Sequence, residues 1–247
     1  TRLGFDTEST GLSPEVDTVR LVQFGDAFTG WAIELDRWYG LVEAIIARWR
    51  RRGRFVAHNA RYDVAMLRKH GIHVPIHLVD DTMMLAHIVN PTVSIGLKQQ
   101  CAMHIDARAA AMQAQLSEVM RSGGYTWATI PIAPTGPCQV YWVYAALDPI
   151  LAVRLWEHHW PTVAREAPMA YDIELSVGWI ADRMERKGVL VDRDFTAMQR
   201  TEFTELYETL TRRGFEEFGV DLGSAQQVTD VLVRDEVPLW KRTGEGA

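Results

Sequence analysis

Cysteine is scarce in this sequence: its 247 residues contain two, Cys101 and Cys138. That is too few for a disulfide framework, and the pair lacks the spacing of a zinc site. Reduced thiols in a cytoplasm are the expectation. Long apolar runs are missing too. Nothing approaches the roughly 18–20 residues of a membrane span, and no charged-then-apolar leader opens the chain. No internal repeat or low-complexity tract is visible. There is no excess of basic residues: 26 Lys and Arg face 32 Asp and Glu, a formal charge of −6. A global deficit of this kind argues against a polyanionic partner, but it is unevenly distributed. Residues 1–165 carry 16 basic and 15 acidic side chains, a balance of +1, and residues 166–247 carry 10 and 17, a balance of −7. The acidity belongs to the C-terminal third and says little about what the rest binds. An initiating Met is absent as well; the chain opens at Thr1 in strand-like sequence and is expected to be part of something longer.

What remains is an ordinary globular composition, 47% hydrophobic and 23% charged. Its length suits one large domain or one and a half. Short strands are predicted at Leu3–Glu8, Val19–Asp26, Gly30–Leu35, Arg54–Ala57 and Val79–Asp81, with helices at Trp38–Arg52 and Ala60–His70. Strands followed by helices in this order predict an α/β fold, a mixed β-sheet flanked by helices. Residues 106–137, Ala-rich and helical at first and then broken by Gly123-Gly124 and three prolines, read as an insertion or mobile loop. From Glu166 the sequence is helical. Met169, Ile173, Val177, Ile180 and Met184 fall at the spacing of an amphipathic stripe. Asp192 can cap a second helix, and Ser224 with Gln227 forms a capping box for a third. A boundary near 160–168 divides residues 1–165 from a helical segment 166–247.

Three constellations carry chemistry. In Phe5-Asp6-Thr7-Glu8, alternation along a strand puts Asp6 and Glu8 on one face. Two adjacent carboxylates repel, and a cation between them relieves the repulsion; a solvated acidic edge would serve equally. In His58-Asn59-Ala60-Arg61-Tyr62-Asp63, at a strand-to-helix junction, Asn59 stands at a cap position and Asp63 one turn further on. Capping and dipole complementation account for both residues alone. In Tyr144-Ala145-Ala146-Leu147-Asp148 the tyrosine and the carboxylate share a helical face, as a core hydrogen bond would also require. Pro149 is expected to kink or break that helix.

Together, Asp6-x-Glu8, Asn59-x-x-Tyr62-Asp63 and Tyr144-x-x-x-Asp148 resemble the motifs of the DEDD exonuclease superfamily, on the ribonuclease-H-like fold, in its tyrosine branch. The histidine branch would need His at position 143, which is Val. Within the superfamily the chain is most similar to the 3′→5′ proofreading domain of family-A DNA polymerases. The segments Asp81-Thr82-Met83-Met84, Asn90-Pro91 and Leu97-Lys98 resemble that domain's sequence. Met184-Glu185-Arg186-Lys187-Gly188-Val189-Leu190-Val191-Asp192 resembles the signature opening the polymerase region, and Ser224-Ala225-Gln226-Gln227 a later thumb segment. The palm motifs of that family are absent from the sequence.

The resemblance implies hydrolysis of DNA from its 3′ end with two Mg²⁺ ions about 4 Å apart, Mn²⁺ being able to substitute. Asp6 would bridge both ions, Glu8 and Asp148 would complete one site, and Asp63 would hold the second ion largely through water. Tyr144 would orient the attacking water. Thr7, Asn59 and Tyr62 would position the strand, and Leu12 would wedge against the terminal bases. The implied partner is a single-stranded or frayed 3′ end of DNA, bound by a monomer joined to the rest of a polymerase chain, in a bacterial or phage-infected cytoplasm. A related exoribonuclease and a catalytically silent DNA-binding scaffold are the alternatives. The arginines at 48, 50, 51, 52 and 54 read as a solvated helix end, the nine tryptophans mainly as core, and His158-His159 as surface.

Overall fold

The computed structural model describes residues 2–133 and 135–237. Its five strands are β1 (Arg2–Ser9), β2 (Val19–Gly25), β3 (Gly30–Glu34), β4 (Arg54–Ala57) and β5 (Val79–Asp81). They form one sheet in the order β3-β2-β1-β4-β5. The first three are antiparallel neighbours, and β1, β4 and β5 run parallel. The sheet is therefore mixed, as expected.

One face is covered by α1 (Leu35–Trp49) and α2 (Ala60–Lys69). Leu3 and Phe5 of β1 point into that core and meet Val42 and Ile46 of α1 and Val64 and Leu67 of α2. Alternation then turns Asp6 and Glu8 to the other face. There α5 (Ala111–Gly123) and α6 (Gln139–Glu166) cover the sheet, with Leu21, Leu116, Tyr141 and Ala145 in contact. Two shorter helices, α3 (Thr82–Val89) and α4 (Leu97–His104), flank α6. Cys101 and Cys138 are both buried free thiols.

Three expectations need correction. Helix α6 runs unbroken through Pro149 and Pro161. Residues 106–137 open with α5, in keeping with their helical start, but the part beyond it is not simply a loose loop, since Ile130 is buried with Leu116 of α5 in a core cluster. His158 is exposed, but His159 is buried and bonds to Gln100 at 3.1 Å. The reading of the tryptophans mainly as core holds among the described residues: Trp179 is buried, and Trp49, Trp142, Trp156 and Trp160 pack half-buried against core clusters, while Trp31, Trp38 and Trp127 are exposed.

The chain forms two compact units, Thr1–Lys187 and Gly188–Ala247. Helix α7 (Pro168–Lys187) thus packs within the first, some twenty residues past the boundary read from sequence. It buries Tyr171, Trp179 and Asp182, while the apolar stripe of Met169, Ile173, Val177, Ile180 and Met184 is exposed. Polar partners select the buried face. The backbone N–H of Asp81 donates to the Tyr171 hydroxyl at 2.9 Å, and Arg68 donates twice to Asp182 at 3.1 Å. The second unit consists of α8 (Arg193–Phe218), capped by Asp192, and α9 (Ala225–Arg234), capped by Ser224. Among the described residues no helix is long and apolar enough to cross a membrane.

Asp81 closes the strand-to-helix junctions. Its carboxylate accepts from the N–H groups of Asn59 (3.1 Å) and Ala60 (2.8 Å) at the start of α2, and from Met83 (2.8 Å) at the start of α3. One side chain caps two helices. Each cap is worth about 1 kcal/mol. Asp81→Ala is therefore expected to destabilise the protein by roughly 2 kcal/mol and lower Tm by about 4–8 °C. An unchanged melting curve would contradict the double cap.

Candidate active site

The site is built by bringing α6 unusually close to the sheet. Gly4, Gly25 and Gly30 lie side by side on the face that carries Asp6, in the paired registers Gly4–Gly25 and Gly25–Gly30. A Cβ on Gly30 would stand 1.8 Å from the carbonyl oxygen of Ala146, and one on Gly4 2.2 Å from that of Pro149. The backbone of α6 occupies the room that side chains would need. Asp148, between those two contacts, is thereby lowered onto β1.

The result is a cluster in which Asp6, Glu8 and Asp148 each offer an oxygen within 4.8 Å of the others. Glu8 and Asp148 are buried and Asp6 is partly open to the pocket. Burial pushes the Asp6 carboxyl up to about 7, with Lys98 pulling it the other way. Glu8 is raised well above the usual range, first by burial and then by the charge of Asp6. Acids this close cannot all ionise without a cation among them. Three convergent carboxylate oxygens are the donor set of a hard divalent ion such as Mg²⁺, so the residues fit that cofactor.

Asp63 stands apart from this cluster. It is buried on α2 and accepts a 2.7 Å hydrogen bond from the Thr7 hydroxyl. Burial and the Asp6 charge raise its pKa, and the Thr7 bond opposes them. The hydroxyl of Thr7 thus serves Asp63. Asn59 has left-handed backbone (φ 65°), a conformation Asn tolerates. Its side chain makes no cap bond, because Asp81 performs that function. Asn59 is exposed and outside the pocket lining.

Above the carboxylates opens a cavity of about 330 Å³, lined among others by Leu12, Tyr62, Trp127 and Tyr144. The Tyr62 hydroxyl donates to the Gly11 carbonyl at 2.8 Å, fixing the turn that projects Leu12, which is 87% exposed. Trp127 faces Tyr144 with ring centroids 6.3 Å apart. Arg20 of β2 anchors the segment of Trp127 by donating to the carbonyls of Trp127 and Ile130. Burial holds the Tyr144 hydroxyl far above its ordinary pKa, so it stays protonated.

The place of three residues in the site escaped the sequence reading. Trp127 lies in the stretch expected to be an insertion. Lys98, at the start of α4, pairs with Asp148 across 50 residues, a contact that local spacing does not reveal. Gln23 is opposite Asp6 in the β1–β2 register and fully buried, with neither amide atom hydrogen bonded among the described residues.

A pH dependence follows for the metal-free protein. Asp6 has a folded pKa near 7 against an ordinary 3.8, so the native state binds the extra proton between those values. Its contribution to stability is complete below about pH 4 and is lost as pH rises through 7. Metal binding demands the deprotonated form and opposes this loss. Mg²⁺ affinity should therefore increase from pH 5.5 to 7.5, with protons released on binding. Calorimetry in buffers of different ionisation enthalpy checks this, and pH-independent binding without proton release would contradict it.

A mixed sheet of this order, with helices on both faces and acids at the end of the first strand, defines a ribonuclease-H-like nuclease fold. The chain is similar to the Brucella melitensis protein NrnC in that respect. The Mg²⁺-bound structure of NrnC has a TM-score of 0.53 at 21% identity, over 77% of this chain and 89% of that one. The structure of NrnC bound to pGG has a TM-score of 0.55 at 20% identity, over 76% and 85%. Residues 1–164 match the 3′-5′ exonuclease family of DNA polymerase A, and the chain belongs to that family. It is 25% identical to the DNA polymerase of Mycobacterium phage L5 over 99% of its own length and 43% of the polymerase. It is also 25% identical to DNA polymerase I of Pseudomonas aeruginosa over 77% of its length and 21% of that protein. The chain thus spans less than half of the curated relatives it matches.

Proposed function

We propose that this chain is a metal-dependent 3′→5′ exodeoxyribonuclease, the proofreading part of a DNA polymerase. In this reading residues 1–165 form the exonuclease domain and 166–247 the helical start of the polymerase region. The observation that carries it is the convergence of Asp6, Glu8 and Asp148 beneath a pocket walled by Leu12, Trp127 and Tyr144, in a chain of this family.

Asp6, Glu8 and Asp148 would hold one Mg²⁺, and Asp6 with Asp63 a second. Ions held there would supply an acidified water and charge neutralisation at the leaving 3′-oxygen. The chain's own residues do the positioning. Tyr144, kept protonated, offers its hydroxyl as the hydrogen bond that aims the attacking water. Asp63, tethered by Thr7, keeps a fixed distance from β1. Leu12 and Trp127 present apolar and aromatic surfaces on which an unpaired terminal base can stack.

A base must leave its partner to reach such a pocket. Opening a terminal pair costs a few kcal/mol, and less when it is mismatched. Single strands and mispaired 3′ ends should thus be degraded faster than paired duplex, releasing 5′-mononucleotides. Hydrolysis of 5′-labelled hairpins with matched and mismatched 3′ termini tests this. Equal rates on the two, or shortening from the 5′ end, would refute the reading. The second reading, a related exoribonuclease, uses the same carboxylates and is supported by likeness of fold to NrnC bound to pGG.

A further inference from the structure

Arginine supplies nearly all the positive charge of this protein: the sequence has 22 Arg and only four Lys, at 69, 98, 187 and 241. Among the described residues Lys69 and Lys187 are exposed, whereas Lys98 is 5% exposed. Its ammonium is directed into the carboxylate cluster. It forms an ion pair with Asp148, lies 4.4 Å from the centroid of the Tyr144 ring, and has no hydrogen-bond partner among the described residues. Helix α4 holds it there by packing Cys101 against Leu151 and Leu155 of α6. The His159–Gln100 bond ties the same two helices together.

Burying an ammonium costs several kcal/mol unless an acid pairs with it. Three neighbouring carboxylates present the opposite problem, since each disfavours the charge of the next. Lys98 answers both. A guanidinium is planar and needs two aligned acceptors, whereas an ammonium is a compact point charge that fits between oxygens. Lysine at this position, in a chain otherwise served by arginine, matches the shape of the space.

We propose that Lys98 is a built-in counter-cation of the active site. Its ammonium keeps Asp148 with Asp6 and Glu8 before metal arrives, and competes with the metal for the same oxygens. The inference rests on the metal-dependent reading above. Two consequences separate it from a purely structural role. Removing the charge should weaken the metal-free protein, because the carboxylates then repel unopposed. It should also tighten metal binding, because a competitor has gone. A unit charge about 4 Å away in a partly buried site is ample for a tenfold effect.

The test uses the whole chain as wild type, Lys98→Met and Lys98→Arg. Calorimetry measures Mn²⁺ and Mg²⁺ affinity, and melting curves are taken with and without metal. Lys98→Met is expected to bind Mn²⁺ about tenfold more tightly, to melt earlier when metal-free, and to regain wild-type Tm in excess Mn²⁺. Lys98→Arg retains the charge and should not gain affinity. Unchanged or weaker binding by Lys98→Met overturns the proposal, as does a raised substrate KM with metal affinity unmoved. Should Lys98→Met fail to fold, the wild type decides. With ¹⁵N-lysine, one of the four ammonium signals should be protected from exchange without metal and lose protection as Mg²⁺ is added. A signal that stays put while Mg²⁺ binds overturns the proposal. Absence of Mg²⁺ binding by the wild type overturns instead the reading on which it rests.

Discussion

Asp6→Ala is expected to lower the rate of DNA hydrolysis by at least roughly a thousandfold, which is about 4 kcal/mol of barrier. Asp6 is the acid through which the site is connected: its charge raises the pKa of both Glu8 and Asp63. It is also the most exposed member of the three-carboxylate cluster. Its removal leaves Glu8 and Asp148 facing Lys98, a neutralised pair and one spare acid that hold a divalent ion poorly. The fold should survive, because Asp6 makes no hydrogen bond that another element depends on among the described residues. Tyr144→Phe provides the contrast. It removes a water-orienting hydroxyl and no metal oxygen, so Mg²⁺ affinity should persist while hydrolysis slows by about 10²–10⁴-fold. Single-turnover rates with calorimetric metal titrations separate the two variants. Near-wild-type turnover by Asp6→Ala would show that these carboxylates are not the catalytic ones.

Gly30→Ala should be nearly as damaging although it alters no polar atom. The added carbon would stand 1.8 Å from the Ala146 carbonyl oxygen, and backbone cannot rotate away as a side chain can. Helix α6 must then rise from the sheet by more than an ångström, and it carries both Tyr144 and Asp148. A displacement of about 1 Å is enough to cost a hundredfold in rate. We expect a loss of that order, weaker Mg²⁺ binding, and a lower Tm. Gly4→Ala, which meets the Pro149 carbonyl at 2.2 Å, should behave alike. Gly40→Ala is the control: an added Cβ there meets nothing within 4 Å. It should leave activity intact and stabilise α1 by roughly 0.5–1 kcal/mol. Full activity in Gly30→Ala would mean that close approach of α6 is not what assembles the site.

These glycines also show why part of the site was illegible. Strand periodicity put Asp6 and Glu8 on one face, and a four-residue helical step put Tyr144 with Asp148; both relations are local. Nothing local says that Gly4, Gly25 and Gly30 are neighbours, because strand pairing unites them. Lys98 reaches the carboxylates, and Trp127 the pocket, in the same non-local way, through α4 packing on α6 and through Arg20. The buried face of α7 was illegible for another reason. Its apolar stripe satisfied the helical period, yet the buried face is the one whose Tyr171 and Asp182 find polar partners on β5 and α2. Pro149 was expected to kink or break α6, and the helix continues across it, with the Pro149 carbonyl close over Gly4.

The most direct measurement follows 5′-labelled single-stranded DNA, and RNA of the same sequence, incubated with the protein across a Mg²⁺ titration and in excess chelator. The expected result is a ladder that shortens from the 3′ end, faster on DNA than on RNA, appearing with Mg²⁺ and abolished by the chelator. Faster loss of RNA would transfer the assignment to an exoribonuclease. Undiminished cleavage in chelator, or a ladder that starts from the 5′ end, would contradict the central claim.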